Sequence, residues 1–255
     1  MDHSSINNFD FSLICEYFSS TDRQGPGSEA STLRALSFLT HLPHGARIAD
    51  IGCGTGSSAL TLARHTDAEI TAIDLFPQFV ERLQQRAAAN GVADRIHALT
   101  GDMGALPFNA DTFDAVWSEG AIYNIGFARG MQLWYPLIRE GGYIAVTDAS
   151  WLTPSRPAEI EEFWQDAYPT IGTVAENTDR MVQAGFRPVA TFVLPHACWT
   201  EHFYQPQRQA QTLFLQRHPG NATAQMLVEN QQREARLYDQ YHQYYGYVFY
   251  IGRKA

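Results

Sequence analysis

Cysteine is scarce in this chain of 255 residues: three occur, at 15, 53 and 198. Their spacing matches neither a metal site nor a disulfide framework, and the odd count fits a reducing compartment. Positive charge is also short. Eighteen Lys and Arg stand against 27 Asp and Glu, for a formal charge of -9, and the basic residues are scattered. A nucleic-acid surface needs a basic stripe, so a nucleic-acid partner is not expected. No uninterrupted apolar run approaches about eighteen residues, which argues against a membrane span. The opening Met1-Asp2-His3-Ser4-Ser5 lacks the basic-then-apolar plan of a signal peptide. Internal repeats and low-complexity tracts are absent. Together these absences predict a cytoplasmic protein, long enough for one domain with insertions.

What is present is concentrated at Ile48-Ala49-Asp50-Ile51-Gly52-Cys53-Gly54-Thr55-Gly56. An apolar run broken by one carboxylate reads as a buried strand, and Ser57 to Ala63 reads as a helix start. Three alternate glycines let a ligand approach the backbone and allow positive φ. The helix N-terminus behind them favours an anionic or carboxylate-bearing group. A dinucleotide fingerprint asks for G-x-G-x-x-G, but Ser57 follows Gly56. A second strand, Glu69 to Asp74, ends in an acid placed to take ribose hydroxyls. Such charge-assisted bonds are worth roughly 1.5–3 kcal/mol each.

With Asp50 two residues ahead, the G-x-G-x-G pattern resembles the first motif of class I S-adenosylmethionine-dependent methyltransferases. Three further segments resemble that family's motifs in its order: Thr100 to Phe108, Phe113 to Gly120, and Leu137 to Ile144. The likeness covers residues 47–148 and is closest to the small-molecule, quinone-biosynthesis-like branch (methyltransferase type 11). Outside it, Cys15 to Phe18, Arg23 to Ser28, Trp117 to Gly126 and Tyr244 to Gly252 resemble uncharacterised bacterial methyltransferase-like proteins. The resemblance implies S-adenosylmethionine as cofactor, with S-adenosylhomocysteine as product. It implies cofactor contacts from Asp50, Gly52, Gly54 and Gly56 to the methionine part and from Asp74 to the ribose. Asp102 would meet the adenine amino group, Leu75 and Met103 would sandwich the ring, and Ser118 joins the same set.

Alternating strands and helices predict an α/β fold with a parallel sheet covered on both faces. Strands are expected at 47–51, 69–74, 95–99, 113–117, 142–148, 186–194 and 245–252. Helices are expected at Ser31–Leu42, capped by Ser31, at 57–65, from Pro77 to Asn90-Gly91, and over Asn221–Tyr244. The resemblance implies a Rossmann-like seven-stranded sheet in the order 3-2-1-4-5-7-6, its last strand antiparallel. As one domain, 1–255 divides into an N-terminal lid segment (1–30), a cofactor-binding core (31–148), cap insertions (149–185 and 195–244) and the last two strands. The N-terminal apolar cluster runs from Phe9 to Phe18.

The acceptor site is expected after the fourth strand, from Trp117, Glu119, Tyr123 and Asn124, with Trp151 and Tyr204 from the cap. Glu119 and His202 are the candidate bases. Aromatic residues in the insertions, among them Trp164, Tyr168, Trp199 and Phe203, suit a flat or cationic acceptor. No metal is chemically required for methyl transfer. The leading reading is methylation of a small molecule at O, N or C. A non-catalytic S-adenosylmethionine-binding sensor or partner, and a methyltransferase acting on protein or tRNA, are the alternatives. Tyr238, Tyr241, Tyr244 and Tyr245 offer a homodimer contact or pack the last helix onto the last strand.

Overall fold

In chain order, the computed structural model describes residues 11–255; Phe9 and the rest of 1–10 lie outside them. Two helices come first, α1 (Phe11–Ser19) and α2 (Glu29–Leu36). The core alternates β1 (Arg47–Ile51), α3 (Ser57–His65), β2 (Glu69–Asp74), α4 (Pro77–Ala89), β3 (Ile96–Thr100) and β4 (Phe113–Ser118). It continues through α5 (Phe127–Trp134), β5 (Ile138–Trp151), α6 (Ala158–Ala167), β6 (Gly172–Thr173), α7 (Val174–Gln183) and β7 (Phe186–Val193). A short helix α8 (Ala197–Trp199) and a π-helical turn (Thr200–Tyr204) lead into α9 (Gln205–Arg217), α10 (Ala222–Tyr241) and β8 (Tyr245–Lys254).

The sheet order is β3-β2-β1-β4-β5-β8-β7, with the two-residue β6 added beside β5. Without β6 this is the expected 3-2-1-4-5-7-6. β8 runs antiparallel to both neighbours and the remaining pairs are parallel. All six residues of β4 are buried. Its adjacent Val116 and Trp117 join opposite cores, as the period of two requires. β5 is longer than expected because β8 pairs with it from Tyr143↔Arg253 to Trp151↔Tyr245. On the edge strand β7, Phe186 and Phe192 go inward while Val189 and Val193 stay exposed.

Helix ends follow local chemistry. Pro77 opens α4, whose Phe79, Val80, Leu83 and Ala87 are buried on one face. The cap of α2 differs from expectation: Ser28 is the N-cap, accepting from Ser31 N, and the helix stops at Leu36. A capping box fixes α7, with Thr173 and Glu176 bonding each other's backbone.

The insertions contribute to both cores: Trp164, Trp199 and Tyr238 join one, and Met181 of α7 the other. Leu13 and Tyr17 of α1 pack with Phe214, Ala224, Leu227 and Val228 of α9 and α10. Tyr17 Oη donates to Gln207 Oε1 at 2.6 Å. Of the tyrosines considered for a dimer, Tyr238, Tyr241 and Tyr245 are buried and Tyr244 is half-buried; Tyr238 packs edge-on against Tyr245. No described helix is long and apolar enough to cross a membrane.

Candidate functional site

The backbone leaving β1 turns through Gly52 and Gly54 with φ of +73° and +54°. Neither could carry a side chain. A Cβ on Gly52 would lie 2.3 Å from Ala121 Cβ, and one on Gly54 would lie 2.2 Å from Gln24 Oε1. Asp74, at the tip of β2, ties this turn down. Its Oδ2 accepts from Gly54 N at 2.8 Å and its Oδ1 from Phe76 N at 3.0 Å. Burial raises its pKa, and those backbone bonds work against the rise.

Above the turn lies a cleft of about 480 Å³. Gly52, Gly54, Asp74, Leu75, Asp102 and Met103 all line it, as do Glu119, Tyr123 and Asn124. Asp102 is exposed there, its Oδ1 accepting from Gly104 N at 2.7 Å. Leu75, 56% exposed, and Met103 supply its apolar surface. Ser57 brings the first turn of α3, whose N-cap Gly56 offers no capping side chain. Glycine backbone, an uncapped helix start, a strand-tip carboxylate and apolar walls fit a zwitterionic amino acid joined to a nucleoside.

Residues 48–142 match the family described as "Methyltransferase domain". The match supports a class I S-adenosylmethionine-dependent methyltransferase domain in this chain. The chain is 32% identical over 149 residues to the chloroplastic 2-methyl-6-phytyl-1,4-hydroquinone methyltransferase 1 of Oryza sativa subsp. japonica, covering 57% of this chain and 42% of that one. It is 31% identical over 119 residues to the ubiquinone/menaquinone biosynthesis C-methyltransferase UbiE of Geotalea daltonii, covering 46% and 50%. The chain thus spans half or less of the length of these curated relatives. A solved S-adenosylmethionine-dependent methyltransferase from Geobacter sulfurreducens, in complex with S-adenosyl-L-homocysteine, superposes with a TM-score of 0.81. It covers 96% of this chain and 98% of its own at 20% identity, a likeness of fold.

Several residues expected at the site stand elsewhere in the structure. Asp50 is fully buried and does not line the cleft. It braces the start of α3 instead, its Oδ2 accepting from Ser58 Oγ at 2.7 Å, while its Oδ1 has no partner. Burial pushes its carboxyl up to about 7. Gly56 packs against Leu83 rather than the cleft. The Ser118 hydroxyl is buried on Ile51 O at 2.7 Å, so the next residues, Glu119, Gly120 and Ala121, form the wall. Trp117 lies in the core against Phe249, its Nε1 donating to Glu119 Oε1 at 2.9 Å. Trp151 is buried under Arg156, whose guanidinium carbon sits 4.0 Å from the ring centre, and lines neither this cleft nor the one beside it. His202 is exposed on the π-helical turn, away from both clefts, which removes the reason for reading it as a base.

Glu119 is present but engaged. Its Oε1 accepts from Thr32 Oγ1 (2.7 Å) and Trp117, and its Oε2 meets Arg23 at 3.2 Å. These bonds fasten the segment between α1 and α2 to β4. Gln24 adds a second tie: its Oε1 accepts from Thr55 N at 2.9 Å. Arg23, Gln24, Gly25 and Pro26 therefore line the first cleft, a contribution sequence reading assigned only broadly to a lid.

A second cleft, about 200 Å³, adjoins the first and shares Phe18, Gln24, Gly25, Pro26 and Tyr123 with it. Its other walls come from the cap: Phe163, Trp164 and Tyr168 of α6 and its end, Trp199 and Phe203, and Tyr247 of β8. Gln231 and Glu234 of α10 complete it. Tyr204 does not line it but donates to Glu234 Oε1 at 3.0 Å. Glu234 was missed in the sequence. A signal existed, since Leu227, Tyr238 and Tyr241, at helical spacing around it, mark the buried face of α10.

Proposed function

We propose that the protein transfers a methyl group from S-adenosylmethionine to a small-molecule acceptor held in the aromatic second cleft. The observation that carries this reading is the shared wall: one segment, Gln24-Gly25-Pro26, together with Tyr123, borders both clefts. When bound, the cofactor supplies an electrophilic methyl carbon on a sulfonium, which leaves as a neutral thioether. The protein's own part is alignment, which contributes roughly 7–11 kcal/mol in favourable cases.

In this reading Asp74 takes the ribose hydroxyls, and Asp102, Leu75 and Met103 receive the base. The glycine turn and the start of α3 hold the amino-acid end. Asp50 acts beneath them by fixing Ser58 and α3, without touching the ligand. Glu119 is a positioning residue that pins Arg23, and with it the 20–28 segment, as the cover over the donor. Tyr123 and Asn124 stand at the passage to the acceptor.

Calorimetric titration with S-adenosylhomocysteine, with NAD as control, tests the donor site. Micromolar binding of the first and none of the second supports the reading. A folded protein that binds neither would leave only the fold. Labelled methyl donor with a panel of small acceptors then tests transfer.

A further inference from the structure

The second cleft has a sign. Glu234 is its one charged residue, and no lysine, arginine or histidine lines it. Among the described residues Glu234 forms no ion pair, and its hydrogen bond comes from a neutral phenol, Tyr204 Oη at 3.0 Å. Glu234 is half-buried; burial raises its pKa, and the hydrogen bond from Tyr204 works against the rise. A ligand that brings a cation offsets the cost of keeping the carboxylate charged there. One turn earlier on α10, Gln231 Oε1 is a buried acceptor with no partner. Both groups ask for N–H donors.

The walls agree with that sign. Phe163, Trp164, Tyr168, Trp199, Phe203 and Tyr247 present aromatic rings, which attract cations through their negative faces. The neighbouring phenols stay neutral: burial is the largest cause raising the pKa values of Tyr123, Tyr204, Tyr245 and Tyr247, and the charge of Glu234 adds to the rise in each. The indole N–H groups of Trp164 and Trp199 are buried and unpaired. They leave a place for a neutral oxygen on the same ligand but carry no charge to reverse the field.

We propose that this cleft binds a small cationic amine through Glu234 and the aromatic walls, making the protein an N-methyltransferase. The proposal rests on the methyl-transfer reading and selects among its three acceptor atoms. Methylation of a phenol oxygen or an enolate carbon proceeds through an anion, which a cleft holding a carboxylate and no cation disfavours. A primary or secondary amine suits it. The bound ammonium gives one proton to solvent, and the freed lone pair forms the N–C bond as the S–C bond breaks onto sulfur. The product is again an ammonium, so Glu234 faces a positive charge before and after transfer.

The test is a binding measurement on the full chain without donor. Quenching of tryptophan fluorescence would be followed for phenethylamine, its neutral analogue phenethyl alcohol, the anion phenylacetate and the phenol hydroquinone. Phenethylamine should bind at least tenfold more tightly than the other three, and Glu234→Gln should remove that preference while S-adenosylhomocysteine affinity stays unchanged. Equal or tighter binding of a neutral or anionic probe, no binding of the amine at millimolar concentration, or an unaltered preference in Glu234→Gln would overturn the proposal. The S-adenosylhomocysteine titration separates the two readings. Failure there with amine selectivity intact would strike the donor assignment alone; donor binding without selectivity would strike the amine alone.

Discussion

Asp74 stands with each carboxylate oxygen on a backbone N–H, so it shapes the glycine turn, and the proposed ribose contact would be added to that role. Asp74→Ala is expected to weaken S-adenosylhomocysteine binding at least tenfold by calorimetry; wild-type affinity would remove it from the donor site. Glu119 makes a different case, because the sequence marks it as a base and the structure as a clamp. Its contact with Arg23 leaves the two side chains only 13% (Arg23) and 6% (Glu119) exposed. Glu119→Gln and Arg23→Ala should each cost about 2 kcal/mol in urea unfolding, the scale of a hydrogen bond to a charged group. The double variant should cost less than the sum, since both remove one interaction. Strict additivity would mean that the pair does not fasten the 20–28 segment. His202 and Trp151 show the limit of residue-type reasoning. Their chemistry suited the site, but the turn of one helix and the face of one strand carried them away from it.

Among the elements, those governed by near neighbours in sequence were the legible ones. β1, α3 and β2 stand at 47–51, 57–65 and 69–74, where apolar runs, glycines and Pro77 place them. The start of α2 was not legible, because Ser28 captures the N-cap through Ser31 N. β5 was underestimated because its length is set by β8, about a hundred residues later. The helix α7 owes its start to Thr173, whose side chain accepts from Glu176 N at 3.2 Å while Glu176 Oε2 accepts from Thr173 N at 2.7 Å. Thr173→Ala should lower stability by about 1 kcal/mol, and Thr173→Ser should restore most of it. Thermal unfolding by circular dichroism measures both, and an unchanged midpoint in the alanine variant would show that packing alone holds α7.

At the level of the whole molecule, two buried carboxyls give stability a pH dependence. Burial pushes Asp50 up to about 7 and Asp148 up to about 8, from an ordinary 3.8. Asp148 belongs to a polar cluster inside the sheet, receiving Tyr168 Oη at 3.1 Å and Asn177 Nδ2 at 3.4 Å, with Oδ1 unpaired. For an acid whose folded pKa is raised, the neutral form is the one the fold prefers. That stabilisation is complete below about pH 4 and is lost as pH rises through 7 and 8. The melting temperature of the donor-free protein should therefore fall from pH 6 to pH 9. Asp148→Asn, neutral throughout, should melt above wild type at pH 8.5 and close to it at pH 5. Parallel melting curves for the two proteins would refute Asp148 as the source.

The sequence by itself determined much of the first cleft: the order of strands and helices, the glycine turn, and Asp74 and Asp102 on its wall. Those features are local, because a strand, its turn and the next helix are adjacent in the chain and their backbone requirements are written in consecutive residues. Only the tertiary structure decided the second cleft and the cover between the two. Arg23 meets Glu119, Gln24 meets Thr55, and Tyr204 meets Glu234 across folds of the chain that no spacing announces. Among the acids of a polar helix, a place in the aromatic-walled second cleft singled out Glu234, and that place is a property of the assembled fold.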